Sequence, residues 1–430
     1  MKKIIFTITL VLLLVMSSVV AFAQEEIIVA VDSNKVEFNS ESGAPFIDQN
    51  NRTQVPFRAT LEKFGATIDW NNDTRVAIAT KGDITVEVPV DQNYILKNGE
   101  KIDTDTAAII VNSKTYLPIR PVVEAFGSEI QWDEALNTVV ITSTPIDAKK
   151  ILMDSYTKSS EWKNYDGNIV MDMTMPIPGE NGETVSMAMK MNMYMTAFTK
   201  PNKIKLTSDM TMDFAGQNIK QPVMDMYITI DADKFVTYMG MYDANGEITW
   251  TKSTIEDALL SELASYDIKA NLELTEKYTK DVKYFGKYTD ENGKTLLRIQ
   301  NTLSGEIYSE LLGKYIEQLA GSTNTQDIMT SEMLKSLGDF KFVLYIDEET
   351  GELVKYEMDL SSIYSSMFSG MADSEALSAE DKEALSMLKD MKATMIMNII
   401  NINQSKDFEI PKEVLDAPEA PAIDEESVVE

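Results

Sequence analysis

Ser186-Met187-Ala188-Met189-Lys190-Met191-Asn192-Met193-Tyr194-Met195 alternates methionine with small or polar residues over its whole length. A period of two is the mark of a strand whose alternate side chains share one face. The same pattern flanks it. Met171, Met173 and Met175 come before, and Met210 with Met212 and Met224 with Met226 come after. Turn-forming pairs separate the runs: Pro178-Gly179, Asn181-Gly182, Pro201-Asn202 and Gly216-Gln217. The spacing predicts successive antiparallel strands joined as hairpins, with one wet face and one methionine-rich face.

Working outward, an amphipathic helix is expected over 146–162 and further strands at 234–238 and 247–251. A helix is expected at about 253–267, then strands at 281–288 and 294–300 and helices at about 304–320 and 326–338. A hairpin at 340–346 and 353–360, a helix at 376–389 and a strand at 391–402 complete the pattern. The whole of 146–410 therefore reads as a large antiparallel sheet with helices on one face. The acidic tail 411–430 has too little apolar area to fold and is expected to be disordered.

Between 24 and 145 the chain repeats itself, which fixes the architecture of a first domain. Val55-Pro56-Phe57-Arg58 recurs as Leu117-Pro118-Ile119-Arg120, Phe64-Gly65 as Phe126-Gly127, and Ile68-Asp69-Trp70 as Ile130-Gln131-Trp132. Each pair is 62 positions apart. Val76-Ala77-Ile78 matches Val139-Val140-Ile141 one residue out of step, as a loop insertion would produce. In each unit Pro opens a helix, whose missing N–H costs nothing there. Phe57, Leu61 and Phe64 fall on one helix face. Gly65 and Gly127 stand where a left-handed residue closes the helix. Ile68 with Trp70, and Ile130 with Trp132, alternate so as to cover it. Arg58 and Arg120 read as helix-start arginines whose stems pack over the sheet.

This twice-repeated series resembles the copper amine oxidase N-terminal domain family. The resemblance implies a small α+β stalk module with an antiparallel sheet and helices, used for extracellular presentation or interaction, and not the part that holds copper or quinone. Asn164-Tyr165-Asp166 has the context of a quinone-forming tyrosine, but the chain has no histidine to hold the copper. Asp166-Gly167 reads instead as a turn ahead of a strand.

Address and charge narrow the function. Residues 1–23 read as a signal peptide: Lys2 and Lys3, an apolar run from Ile4 to Val20, and Ala21-Phe22-Ala23 at the cleavage site. A secreted or cell-wall-associated protein is expected. Export without any cysteine suits a Gram-positive host. The formal net charge is −30, and loss of Lys2 and Lys3 makes it more negative, so nucleic acid is not an expected partner. Without His or Cys, imidazole and thiol catalysis and His-ligated metal sites are excluded. No phosphate-binding loop, dinucleotide glycine series or nucleophile elbow appears. No catalytic residue, metal or cofactor is expected, and the fold class is α+β throughout.

The second domain resembles the open half-barrel of periplasmic lipoprotein carriers and lipid-binding lipoproteins. It is similar also to Met-rich secreted proteins in which Asp-x-x-Thr-Gly, here Asp347 to Gly351, precedes a strand carrying a methionine, here Met358. Thioether side chains are unbranched and adaptable, so such a face accepts lipid chains or apolar peptides of varied shape. The candidate ligand-binding residues are Met173, Met187, Met189, Met191, Met193, Met212 and Met226. Expected partners are a hydrophobic small molecule or lipid, and a cell-wall or protein partner for the stalk-like module. Two other readings stand beside this one. The methionine face is the filled core of a structural surface module, or its soft thioethers hold Cu(I) or Ag(I).

Overall fold

A computed structural model describes residues 26–178, 184–214, 217–231, 234–243, 245–255, 268–307, 338–372 and 379–420, and the chain divides into two units, Met1–Pro145 and Ile146–Glu430. The expected signal peptide, most of the helix at 253–267, and nearly all of the helices at 304–320 and 326–338 lie outside the described residues.

The first unit has thirteen described strands. They are β1 (Ile28–Val31), β2 (Asn34–Lys35), β3 (Phe46–Ile47), β4 (Thr53–Pro56), β5 (Thr67–Asn71), β6 (Val76–Lys81), β7 (Ile84–Pro89), β8 (Tyr94–Lys97), β9 (Glu100–Asp103), β10 (Ile109–Val111), β11 (Lys114–Pro118), β12 (Glu129–Asp133) and β13 (Thr138–Thr142). They make three sheets, in the orders β12-β13-β1-β2, β10-β11-β4-β3 and β5-β6-β7-β8-β9, with β1 and β13 parallel. Helices α1 (Phe57–Lys63) and α2 (Ile119–Ala125) follow Pro56 and Pro118, each proline standing just before its helix. Phe57, Leu61 and Phe64 are buried together, and Gly65 and Gly127 hold φ of 87° and 77°, the left-handed conformation that only glycine adopts freely.

The register corrects one reading of the repeat. Ile68 pairs with Ala79 and Trp70 with Ala77, while Ile130 pairs with Ile141 and Trp132 with Val139. The offset of 62 therefore runs unbroken into the second strand, and Arg75 and Asn137, at that same offset, share a positive φ of 52° and 47° in the turn. No residue is inserted. The apolar letters Val76 and Ile78 suggested a slip because the core positions opposite Ile68 and Trp70 are alanines, which hydrophobic pattern-matching underweights.

The described strands of the second unit form an eleven-stranded antiparallel sheet that curls into a half-barrel. Its strands are β14 (Asn164–Pro178), β15 (Thr184–Thr199), β16 (Asn202–Phe214), β17 (Gln217–Asp231), β18 (Lys234–Tyr242), β19 (Ile248–Ile255), β20 (Thr279–Thr289), β21 (Thr295–Leu303), β22 (Phe340–Asp347), β23 (Leu353–Asp359) and β24 (Lys392–Ile400). Their spatial order is β19-β18-β17-β16-β15-β14-β24-β23-β22-β21-β20, so the last strand returns to the middle of the sheet beside β14. Helix α3 (Ala148–Ser159), capped by the Asp147 carboxylate accepting from the Lys150 N–H, packs Leu152 against Ile299, Leu344, Ile346 and Met397. Helices α4 (Ile268–Tyr278), α5 (Ser361–Ala372) and α6 (Ala379–Leu388) lie in the connections.

Three local expectations give way. Residues 253–255 continue β19 rather than beginning a helix. Asp166-Gly167 lies inside β14 rather than in a turn: a Cβ on Gly167 would stand 2.6 Å from the Met397 Cε and 3.2 Å from that of Met195, so the glycine makes room for cross-strand methionines. The tail after Pro411 is ordered as far as residue 420. Helix α7 (Lys412–Leu415) buries Val414 with Tyr227 and Tyr238, Phe408 packs on Phe198 and Tyr227, and Lys203 donates to Asp407 and to the Phe408 carbonyl. Beyond it the Lys252 N–H donates to the Pro418 carbonyl and the Ala420 N–H returns to Lys252, closing part of the β19 edge. The average composition of the tail hid one well-placed apolar residue, Val414, which joins Phe408 and Ile410 just ahead of it. Val414→Ala is expected to cost about 2 kcal/mol by removing two methyl groups from this contact. The urea midpoint of the full chain measures it, and an unchanged midpoint would mean the strap contributes no stability.

Candidate functional site

Because side chains alternate across a strand, the register alone decides which residues share a face. Met395, Met171, Met191 and Met210 stand opposite one another on β24, β14, β15 and β16. Met173, Met189 and Met212 make the next row, and Met175 with Met187 the next. Directly opposed side chains have Cβ atoms about 4.5–5.5 Å apart, closer than the roughly 7 Å between same-face neighbours along a strand. The rows continue across β17 and β18 as Ser208–Met224–Met241 and Leu206–Met226–Met239. On the other side they run through Met358 and Tyr356 of β23 into Phe342 and Leu344 of β22.

One irregularity keeps this face continuous. The pairing of β16 with β17 shifts between Ser208 and Asp209, leaving Val223 as the extra residue of a bulge. Without it, Met224 and Met226 would point away from Ile219 and Met212; with it they rejoin them. Pro222, which has no N–H to give a ladder, sits at the bulge where that loss is tolerated. The Ser208 hydroxyl donates to the Met224 carbonyl across it.

The seven methionines singled out from the sequence, Met173, Met187, Met189, Met191, Met193, Met212 and Met226, all lie on this one face and all are half-buried. None belongs to the core clusters of the described residues, in which α3 covers the β20–β24 half of the face. From Gly167 to Met175, Met187 to Ala197 and Ile204 to Met212 the face has no ionisable side chain. The charges are on the reverse: Lys190 with Asp172 at 3.3 Å, Lys220 with Asp209 at 3.4 Å, and Asn192 donating to Asp209 at 2.8 Å. The C-terminal strap crosses that reverse side at Tyr227 and Tyr238.

Sequence reasoning missed part of the face. Met395 and Met397 alternate in the last strand, a signal visible in Ala393-Thr394-Met395-Ile396-Met397, and Met239 and Met241 extend it on β18. Helix α5 is a further element that the pattern of the sequence does not predict. It carries Ile363, Tyr364, Met367, Phe368 and Met371, its Tyr364 and Phe368 rings stack 6.1 Å apart, and none of its residues is fully buried.

Under α3 the face holds phenols in an apolar setting. Burial pushes the Tyr156 hydroxyl up to about 12, opposed in part by the neighbouring Asn301 carboxamide, and burial with the nearby Tyr165 and Tyr156 phenols pushes Tyr356 up to about 12. These groups stay protonated, so the arrangement offers packing surface and neutral hydroxyls rather than a proton acceptor. Among the described residues no group of three or more His, Cys, Asp or Glu is arranged to hold a metal, and no helix is long and apolar enough to cross a membrane.

Comparison with known proteins gives two matches. Residues 30–141 match the copper amine oxidase N-terminal domain, and residues 147–419 match a family of unknown function, DUF6612. No curated protein matches the chain. The first of these is a non-catalytic domain, and the function of the second family is not known. The second covers the half-barrel and its strap together, from α3 to the last pairing with β19, and takes in more than half of the sequence, so the chain belongs to the DUF6612 family, with a copper amine oxidase N-terminal domain ahead of that region.

Proposed function

We propose that this is an exported, non-enzymatic envelope protein that binds a hydrophobic ligand, a lipid chain or an apolar peptide, on the methionine face of its second unit, while the first unit meets the cell wall or a protein partner. One observation carries the reading: across β14 to β18 the thioethers form a charge-free face whose members are half-buried or, at Met241, exposed, while the reverse of the same strands carries the charged pairs and, at Tyr227 and Tyr238, the chain's own strap. A face meant only as filled core has no reason to leave its methionines partly accessible. Unbranched side chains supply an adaptable lining. The half-barrel curl and the apolar, incompletely buried α5 support a ligand of extended shape.

The test is mass spectrometry of organic extracts of the purified full chain, with titration of the fluorescent probe 1-anilinonaphthalene-8-sulfonate. Met191→Glu places a charge in the centre of the face and is expected to weaken probe binding about tenfold or more, since a carboxylate is costly to desolvate without a partner. Lys190→Glu, on the reverse, is expected to leave it unchanged. Recovery of no lipid, together with equal probe binding by both variants, would rule out the ligand face and leave the structural-module reading. Directly opposed thioethers also favour Cu(I) as a second reading; titration with the reduced ion against a competing chelator separates the two.

A further inference from the structure

The two repeats of the first unit are an internal control, because equivalent residues sit in different settings. Arg120 donates to the Ile130 carbonyl at 3.1 Å, 10 residues on, and reaches Glu124 at 3.5 Å. Arg58, its counterpart 62 positions earlier, makes the matching 3.5 Å contact with Glu62 only, and its side chain is 67% exposed. Instead of being tied to its own sheet, Arg58 lines a cleft of about 660 Å³ together with Lys114, Glu41, Glu62, Asp69 and Trp70.

The cleft is built, not incidental. Its outer wall is the loop Asn39–Gly43, in which the Asn39 carboxamide accepts from the Glu41 and Ser42 N–H groups at 2.8 and 3.0 Å and the Gly43 N–H closes back on the Asn39 carbonyl at 2.9 Å. Gly43 holds φ of 84°, and a Cβ there would fall 2.1 Å from the Tyr116 hydroxyl, so the loop is seated against β11 by the absence of a side chain. The second repeat has β9 at the corresponding positions rather than such a loop.

We infer that this cleft binds a neutral or zwitterionic glycan, with Trp70 as its stacking surface and Arg58, Glu62 and Asp69 as its hydroxyl-recognising groups. An indole face takes the apolar C–H face of a pyranose ring. Planar guanidinium and carboxylate groups supply donors and acceptors in the paired geometry that neighbouring sugar hydroxyls, themselves both donors and acceptors, require. Charges of both signs rim the cleft, which disfavours a strongly ionic ligand, and the charged rim disfavours a lipid chain. A preformed wall lowers the ordering cost of binding. The inference rests on reading the first unit as a contact module and specifies what it meets; it is independent of the methionine face.

The test uses the full chain and isothermal titration with the tetramer of N-acetylglucosamine, alongside a Lys-containing tetrapeptide and binding to isolated cell-wall sacculi. Trp70→Ala and Arg58→Gln are each expected to weaken binding of the tetrasaccharide about tenfold, while Trp132→Ala and Arg120→Gln, the equivalent changes in the second repeat, leave it within about twofold. Circular dichroism of each variant checks that the unit still folds. Tetrasaccharide binding that all four variants weaken equally, or a preference for the peptide, overturns the glycan cleft. Sacculus binding that survives Trp70→Ala overturns the cleft while leaving the wall-contact reading in place, and loss of all sacculus binding by the unaltered chain removes that reading too.

Discussion

Between pH 10 and about 12 the second unit is expected to unfold cooperatively, with tyrosinate absorbance appearing in the same step as the loss of β-sheet circular dichroism. Tyr156, Tyr345 and Tyr356 are all pushed up to about 12, in each case chiefly by burial. A raised folded-state value means the native protein holds these protons more tightly than the unfolded chain. The stabilisation is fully present below the ordinary phenol value of 10 and is lost as the pH rises through about 12. Raising a phenol from 10 to about 12 corresponds to roughly 2–3 kcal/mol for a fully enclosed group such as Tyr345, and to less for Tyr156 and Tyr356, which keep part of their surface accessible. Together they approach the whole stability of a typical domain, about 5–15 kcal/mol. With no histidine and no cysteine in the chain, stability is expected to be level through the neutral range, about pH 6 to 9, where those side chains otherwise titrate. Tyrosinate absorbance that develops fully near pH 10 with the sheet intact would mean that these phenols are in contact with water.

The same phenols mark the limit of what the sequence discloses. The methionine face was legible because a period of two is a one-dimensional record of which side a residue points to, and Met187 to Met195 write it without a break. The repeat was legible for the same reason, since Pro, Phe-Gly and Ile-x-Trp recur at a fixed offset. What stayed hidden depends on partners far apart in sequence. That β24 returns beside β14, placing Met395 opposite Met171, is a pairing across more than 200 residues that no local pattern encodes. The bulge at Val223 is a single-residue slip between two strands that each look regular alone. The strap is ordered by Val414, in a tail whose average composition argues for disorder, joining Phe408 and Ile410 just ahead of it against Tyr227 and Tyr238. The cleft at Trp70 is likewise invisible in sequence, where Arg58 and Arg120 look alike; only the Ile130 carbonyl, taken by one and not the other, separates them.

Arg298→Ala is expected to destabilise the second unit by about 3–5 kcal/mol, the cost of breaking a buried charge network by removing one member. Arg298 is on β21, on the side away from the methionines, and is only 2% exposed. Its Nε donates to the Tyr345 hydroxyl at 3.0 Å, which donates in turn to the Glu357 carboxylate at 3.0 Å. Its guanidinium stands over the Phe285 and Tyr345 rings, 5.4 and 5.6 Å from their centroids. Alanine removes the cation, its stacking and the volume between two rings at once, and leaves Glu357 with its ion pair to Lys355 at 2.7 Å. Arg298→Met keeps most of the volume between the Phe285 and Tyr345 rings while removing the charge, so it is expected to recover part of the loss. The urea midpoint of each variant, followed through Trp162 and Trp250, gives the comparison. A further readout separates charge from packing. Burial raises Tyr345, and the Arg298 charge and hydrogen bond oppose it, so loss of the guanidinium moves the Tyr345 titration upward still further. An alanine variant that loses less than about 1 kcal/mol, with Tyr345 titrating as before, would mean that neither the charge network nor the stacking of the guanidinium on Phe285 holds this side of the sheet.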